Sequence, residues 1–254
     1  LLVILGGAGT VLTINHYNQV ALGNKNATAT AETDKTQAAA TAKTQSAATA
    51  RAQATATFVA SHYPFSSNLV LDDPLLDNSK GNEWEVKIRS DNKAACQFVA
   101  GNYHVFELDT QYFYNCLGKN TSFSNFTYQV QMVITRGDAG GITFRLNRSG
   151  GKNIGYLALI SAQGFFSLSS LNKDGLKTLN SGSSSAIKKG LDEINSVAIV
   201  ARGNMFELYV NEQPVAKVSD IAYSEGQIGV VAWPFSNDGH PTEVAYSNVK
   251  VWKL

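Results

Sequence analysis

FTYQVQMVITRGDAGGITFRLN (126–147) alternates apolar and polar residues on either side of a glycine-rich break. Phe126, Tyr128, Val130, Met132 and Ile134 fall on one side and Thr127, Gln129 and Gln131 on the other, the period of two of a half-buried strand. After RGDAGG (136–141) the alternation resumes, with Ile142, Phe144 and Leu146 expected inward and Thr143, Arg145 and Asn147 outward. Residues that tolerate positive φ join the two runs, so the stretch predicts a β-hairpin.

The same reading extends along the chain. GYLALISA (155–162), GFFSLSSL (164–171), NSVAIVAR (195–202), MFELYVN (205–211), PVAKVS (214–219), GQIGVVAW (226–233) and EVAYSNVKVW (243–252) are all short apolar runs bounded by turn residues. VNEQP (210–214) makes a second hairpin, with Pro214 opening a strand where its missing N–H matters little. Ten or more short strands predict an all-β antiparallel sandwich or barrel. Only SSAIKKGLDEI (184–194) suggests a short helical turn or a loop. Trp84 and Trp252 read as core or rim packing, whereas Trp233 precedes Pro234 and a polar loop.

The first quarter is different in kind. Residues 26–57 contain no aromatic, leucine, isoleucine, valine or glycine, and DKTQAAATAKTQSAATARAQATAT (34–57) repeats with a step of eight. No face of that segment can bury a core, so residues 23–60 read as a spacer, a frayed helix or a mixed, solvated rod. As a helix, residues 26–57 would reach about 48 Å, with Lys35, Lys43 and Arg51 winding around it in steps of about 80°. LLVILGGAGTVLTI (1–14) is shorter than the roughly 20 residues that cross a bilayer. Residues 1–22 are expected to be an N-terminally truncated apolar membrane-spanning helix; a secretory signal core and a buried helix are the rival readings. Either membrane reading puts the β-rich part outside the cytoplasm, on a single-pass protein in contact with the lipid bilayer.

Cys96 and Cys116 suit that placement. As a disulfide they would contribute about 3 kcal/mol by closing the intervening loop; as free thiols they would be buried. No CxxC, HExxH or Cys/His cluster is present, so spacing supports no zinc site. The formal net charge is +1 and the basic residues are scattered, which argues against nucleic acid as a partner.

FSNFTYQVQMVITRGDAGGITFR (123–145), FELYVNEQPVAKVSD (206–220), YSEGQIGVVA (223–232) and the closing EVAYSNVKVWKL (243–254) together carry a resemblance. They resemble successive strands of the concanavalin A-like lectin/glucanase sandwiches, especially the keto-disaccharide hydrolase-type and laminin G-like branch, over about residues 65–254. The resemblance implies a jelly roll of two antiparallel sheets over residues 61–254, often with carbohydrate bound on one sheet. An apolar helix, an Ala/Thr/Gln-rich spacer and such a head also resemble the extracytoplasmic part of bacterial membrane-anchored proteins, including receptor-like serine/threonine kinases. The chain itself has no VAIK-like strand, HRD or DFG.

Catalytic residues are hard to nominate. Retaining glycosidases use two carboxylates about 5 Å apart, and the glucanase branch typically shows ExDxxE. Here ELDTQY (107–112) supplies Glu107 and Asp109, but Tyr112 stands where the second glutamate would be. The keto-disaccharide hydrolase branch often has GYE, where this chain has Leu157 in place of the acid. The four histidines are far apart in sequence and suggest no triad. LDDPLLDN (71–78) and NDGHP (237–241) offer oxygen ligands for a structural calcium, although turn formation explains both. The expected function is therefore a noncatalytic binding or sensing module for carbohydrate or cell-wall glycan, with Arg145, Tyr156 and Trp233 as ligand contacts. A glycoside hydrolase and a pilin-like subunit are the alternatives; Leu5 stands where type IV pilins carry glutamate.

Overall fold

The computed structural model describes residues 7–109, 112–150, 152–234 and 240–254. It divides into two compact units, Leu1–Phe58 and Val59–Leu254.

Helix α1 runs without interruption over Gly7–Ser61, about 80 Å at 1.5 Å per residue. Of the two forms expected of the spacer, a frayed helix or a mixed rod, the helical one is described. Alanine, the strongest helix former, fills many of the positions between the threonines. Thr28, Thr30, Thr33, Thr36, Thr41, Thr44, Thr49, Thr55 and Thr57 each donate their hydroxyl to the carbonyl four residues earlier. Back-bonding of this kind satisfies the hydroxyls within the helix without itself stabilising it. Among the described residues no helix is long and apolar enough to cross a membrane. The span expected at residues 1–22 lies partly outside the described residues.

The second unit is a sandwich of fifteen strands: β1 (Leu69–Asp73), β2 (Lys87–Ile88), β3 (Ala94–Val99), β4 (Asn102–Glu107), β5 (Tyr114–Leu117), β6 (Phe126–Arg136), β7 (Ala139–Ser149), β8 (Lys152–Ser161), β9 (Phe165–Asn172), β10 (Gly175–Ser183), β11 (Ile194–Arg202), β12 (Met205–Val210), β13 (Gln213–Ser219), β14 (Gln227–Trp233) and β15 (Thr242–Lys253). One sheet has the order β13-β12-β11-β6-β15-β4-β3-β2, with β1 beside the end of β15; the other has the order β10-β9-β8-β7-β14-β5. All pairings are antiparallel. Residues 184–193, where a helical turn was one reading, form a loop.

The core lies between the sheets and is filled by the alternate residues that the sequence pattern picks out. Phe126, Tyr128, Val130 and Met132 of β6 meet Ile142 and Phe144 of β7, Tyr156 and Ala158 of β8 and Ile228 and Val230 of β14 in one buried cluster. Tyrosines crossing this core tie the sheets together. The Tyr246 hydroxyl donates to the Val231 carbonyl at 2.6 Å and accepts from the Gly141 N–H at 2.9 Å, while Tyr128 donates to the Gly229 carbonyl at 3.0 Å. Buried hydroxyls need such partners, and here they become cross-links between layers. The Cys96–Cys116 disulfide is formed, with Cα atoms 5.9 Å apart, and joins β3 of one sheet to β5 of the other. Trp84 is buried as expected, its indole N–H donating to Asp73 at 3.0 Å.

On the outer face of the larger sheet, Tyr63, Phe65 and Leu254 pack over Ala198, Val200 and Tyr209. Thr127 donates to the Pro64 carbonyl at 2.7 Å, and the Arg202 guanidinium lies 4.8 Å from the Phe65 ring centre. The residues leading into β1 are thereby fastened to the sheet.

Candidate functional site

The smaller sheet presents its outer face between its two long hairpins, and a bulge at Arg145 shapes that face. The pairing of β7 with β8 slips between Phe144 and Asn147, and that of β14 with β7 slips between Gln227 and Gly229. Arg145 has φ of 46°, in the left-handed region. Glycines stand on β8 and just before β14: a Cβ on Gly155 would meet the Arg145 carbonyl oxygen at 2.7 Å, and one on Gly226 the Arg145 carbonyl carbon at 2.5 Å. One extra residue reverses the alternation beyond it. Phe144 and Arg145 both enter the interior, and Leu146 joins Leu117 and Leu171 in a separate cluster that Phe113 also packs against.

The outward Arg145 of the sequence reading is therefore corrected. Only 1% exposed, its guanidinium donates to the carbonyls of Ser124 and Tyr223 and lies 5.0 Å from the Phe206 ring centre. Tyr156 is corrected with it. It is fully buried, stacks on Phe144 at 5.2 Å, and donates its hydroxyl to Asp220 at 2.7 Å. Burial, followed by the neighbouring Asp220 carboxylate, pushes its phenol well above the usual range.

Trp233 stands apart from these two. At the end of β14 it packs with Phe113, ring centres 5.2 Å apart and planes at 34°, and both rest on Leu157, Leu159 and Val231. Phe113 and Trp233 line a cleft of about 560 Å³ together with Asn115, Lys152, Asn153, Leu171 and the β9–β10 turn at 172–175. Two amides meet in it: Asn153 donates through Nδ2 to Asn115 Oδ1 at 3.1 Å. Asn153 Oδ1 in turn accepts from Arg148, whose guanidinium reaches Glu85 at 3.5 Å. The tip of the β7–β8 hairpin is thus held to the β5 side, which fixes the amides in place. Lys152 donates to the Lys173 carbonyl at 2.8 Å and ties the hairpin to the β9–β10 turn.

Of this cleft the sequence reading named Trp233 alone. Phe113, Asn115 and Asn153 escaped it because Asn115 and Asn153 become neighbours only through the pairing of distant strands. YFYN (112–115), three aromatics before an amide in a weakly patterned stretch, was the available sign.

The carboxylates weighed for catalysis are committed elsewhere. Glu107, fully buried, receives Arg89 through both oxygens at 2.7 and 3.1 Å and also accepts from the Asp109 N–H at 2.8 Å. Asp109 lies beyond the end of β4. Burial raises the Glu107 carboxyl, and the Asp109 N–H and Arg89 pull against it. Leu157, where the hydrolase-type pattern has an acid, lies in the apolar cluster under Trp233. His104 pairs with Glu243 at 2.7 Å on the other sheet.

The oxygen ligands weighed for calcium at 71–78 take part in hydrogen bonds of the turn. Asp73 accepts from the Leu75 N–H, the Asn82 amide and the Trp84 indole, and Asp77 accepts from the Ser79 N–H. Residues 237–239 of the other stretch lie outside the described residues. Among the described residues no group of three or more His, Cys, Asp and Glu side chains is placed to hold a metal ion.

No protein-family model and no curated protein matches the chain. Solved structures do. The carbohydrate binding module CBM66 from Bacillus subtilis is similar at TM-score 0.53 and 20% identity, over 63% of this chain and 92% of that one. A protein of unknown function with galectin-like fold from Bacillus subtilis follows at 0.54 and 11%, over 74% and 97%. The Bacillus licheniformis β-glucanase stands at 0.50 and 13%, over 74% and 99%. The fold is a concanavalin A-like lectin/glucanase sandwich. Within that fold, the Trp233 cleft opens on the outer face of the six-stranded sheet.

Proposed function

We propose that the sandwich is a noncatalytic carbohydrate-binding module whose ligand, a glycan of the cell wall or the surroundings, lies in the Trp233 cleft. The observation that carries this reading is the pair of aromatic rings, Phe113 and Trp233, set beside the bonded amides of Asn115 and Asn153. A sugar ring has apolar C–H faces and a rim of hydroxyls. It is accommodated by an apolar floor with a few fixed donors and acceptors at its edge. The likeness in fold to a carbohydrate binding module supports the same reading.

Hydrolysis is the weaker reading despite the likeness to a β-glucanase. Asp174 is the sole carboxylate among the described residues that line the cleft, whereas glycoside hydrolysis ordinarily needs two. Calorimetry of the whole chain against soluble plant, fungal and bacterial polysaccharides is expected to show binding that Trp233→Ala abolishes, without release of reducing sugar. Absence of binding to every polysaccharide contradicts the proposal.

The proposal places the sandwich outside the cytoplasm, supported by a buried disulfide between the sheets. Attachment to a membrane through residues 1–22 accompanies it. Fractionation of cells that make the protein is expected to recover it with membranes, and recovery in the soluble fraction after lysis contradicts attachment.

A further inference from the structure

A second depression, of about 270 Å³, opens where the loop before β6, the β11–β12 turn and the loop before β14 come together. It shares no lining residue with the Trp233 cleft. Arg145 forms part of its wall. Of the five N–H groups of a guanidinium, Nε and Nη2 donate to the Ser124 carbonyl and Nη1 to that of Tyr223. One N–H on each Nη has no partner among the described residues. No carboxylate among the described residues lies within ion-pair distance of this buried cation. Burying an unpaired charge carries a desolvation penalty that a neutral donor would avoid, so tying two loops together is an incomplete account of an arginine here.

Asp220 stands in the same wall. Its Oδ1 accepts from the Tyr156 hydroxyl at 2.7 Å and from the Ala222 N–H at 2.8 Å. Its Oδ2 has no partner among the described residues. A fixed donor fork and a fixed carboxylate oxygen thus border one small depression. A hydroxyl can accept from the first and donate to the second. An anion would meet Asp220 and a cation would meet Arg145, so the pair favours a neutral ligand. At the lip, Ile221 is 86% exposed, an apolar surface for the C–H face of a ring.

We propose that this depression is a second binding site, for a neutral vicinal diol of a sugar, with Arg145 as donor and Asp220 as acceptor. The site stands independently of the Trp233 cleft. It is tested by NMR on the isotope-labelled whole chain with glucose, galactose, fructose and glucuronate in turn. At least one neutral hexose shifts the amides of Gly203, Asn204, Ile221 and Tyr223 saturably, and glucuronate binds more weakly.

Asn204→Trp, at an exposed position in the turn, fills the depression. It weakens the response of those amides by at least about tenfold, as expected when the fixed polar groups are denied to the ligand. Trp233→Ala leaves that response in place. Arg145→Lys keeps the charge but loses the fork and is expected to weaken binding; because the residue is buried, Asn204→Trp is the primary variant. No saturable shift at these amides with any neutral hexose, shifts that persist in Asn204→Trp, or preferential binding of glucuronate would each overturn the proposal.

Discussion

The two faces of the six-stranded sheet use aromatic side chains in opposite ways. On the inner face Phe144 and Tyr156 stack on each other and meet Phe206 from the opposite sheet, with ring centres 5.3 and 4.5 Å from it. All three are buried. On the outer face Phe113 and Trp233 rest on three aliphatic residues and border an open cleft. An aromatic ring on the inner face is spent on cohesion, while one on the outer face keeps a surface that a ligand can cover. Neighbouring positions on one strand can therefore differ entirely in what a substitution does.

The largest expected effect falls on the core against the inner face, where Phe206 meets Phe144 and Tyr156. Phe206→Ala should lower stability by about 3–5 kcal/mol, read from denaturant unfolding. Trp233→Ala should cost much less, and equal losses for both would erase the distinction between the faces. Replacing both cysteines with serine should remove about 3 kcal/mol by releasing β5, which carries Asn115, from the opposite sheet. Unchanged stability in that double variant would show that inner-face packing alone holds the layers together.

Alkaline pH probes the inner face without mutation. Burial raises the phenols of Tyr128, Tyr156 and Tyr246 above the ordinary value of 10.0, and on the outer face of the other sheet Tyr209 is pushed up to about 12. In the unfolded chain these groups ionise first. Their contribution is fully present below pH 10 and is lost as pH rises through the folded values. Unfolding should become easier above pH 10, with tyrosinate absorbance rising together with loss of structure. Ionisation of all ten tyrosines while the sandwich stays folded would contradict the assigned burial.

The smallest effect concerns Ser169, whose hydroxyl is buried without a partner among the described residues. Ser169→Ala should leave stability unchanged or raise it by up to about 1 kcal/mol, since it removes an unsatisfied group. A marked loss measured by thermal unfolding would mean that the hydroxyl has a partner in solution.

Much of this fold was legible because alternation is a local property. The core positions of β6 were readable directly from FTYQVQMVI, and the hairpin to β7 from its glycines. The reading failed after Phe144, where a bulge absorbed one residue and turned Arg145 inward and Leu146 away from the main core. A bulge is set by partner strands, here by Gly155 and Gly226, which lie 10 and 81 residues away in sequence. In the spacer the alternation is absent, and only the alanine content pointed to helix. The cleft was the least legible part, because Phe113, Asn115, Asn153 and Trp233 come together only once β5, β8 and β14 have taken their places.

The most direct test of the central claim is calorimetric titration of the whole chain and of its Trp233→Ala variant with the same panel of polysaccharides. Binding by the parent chain, lost in a variant that unfolds at nearly the same denaturant concentration, is the predicted result. Equal binding by both proteins, or none by the parent, would contradict it.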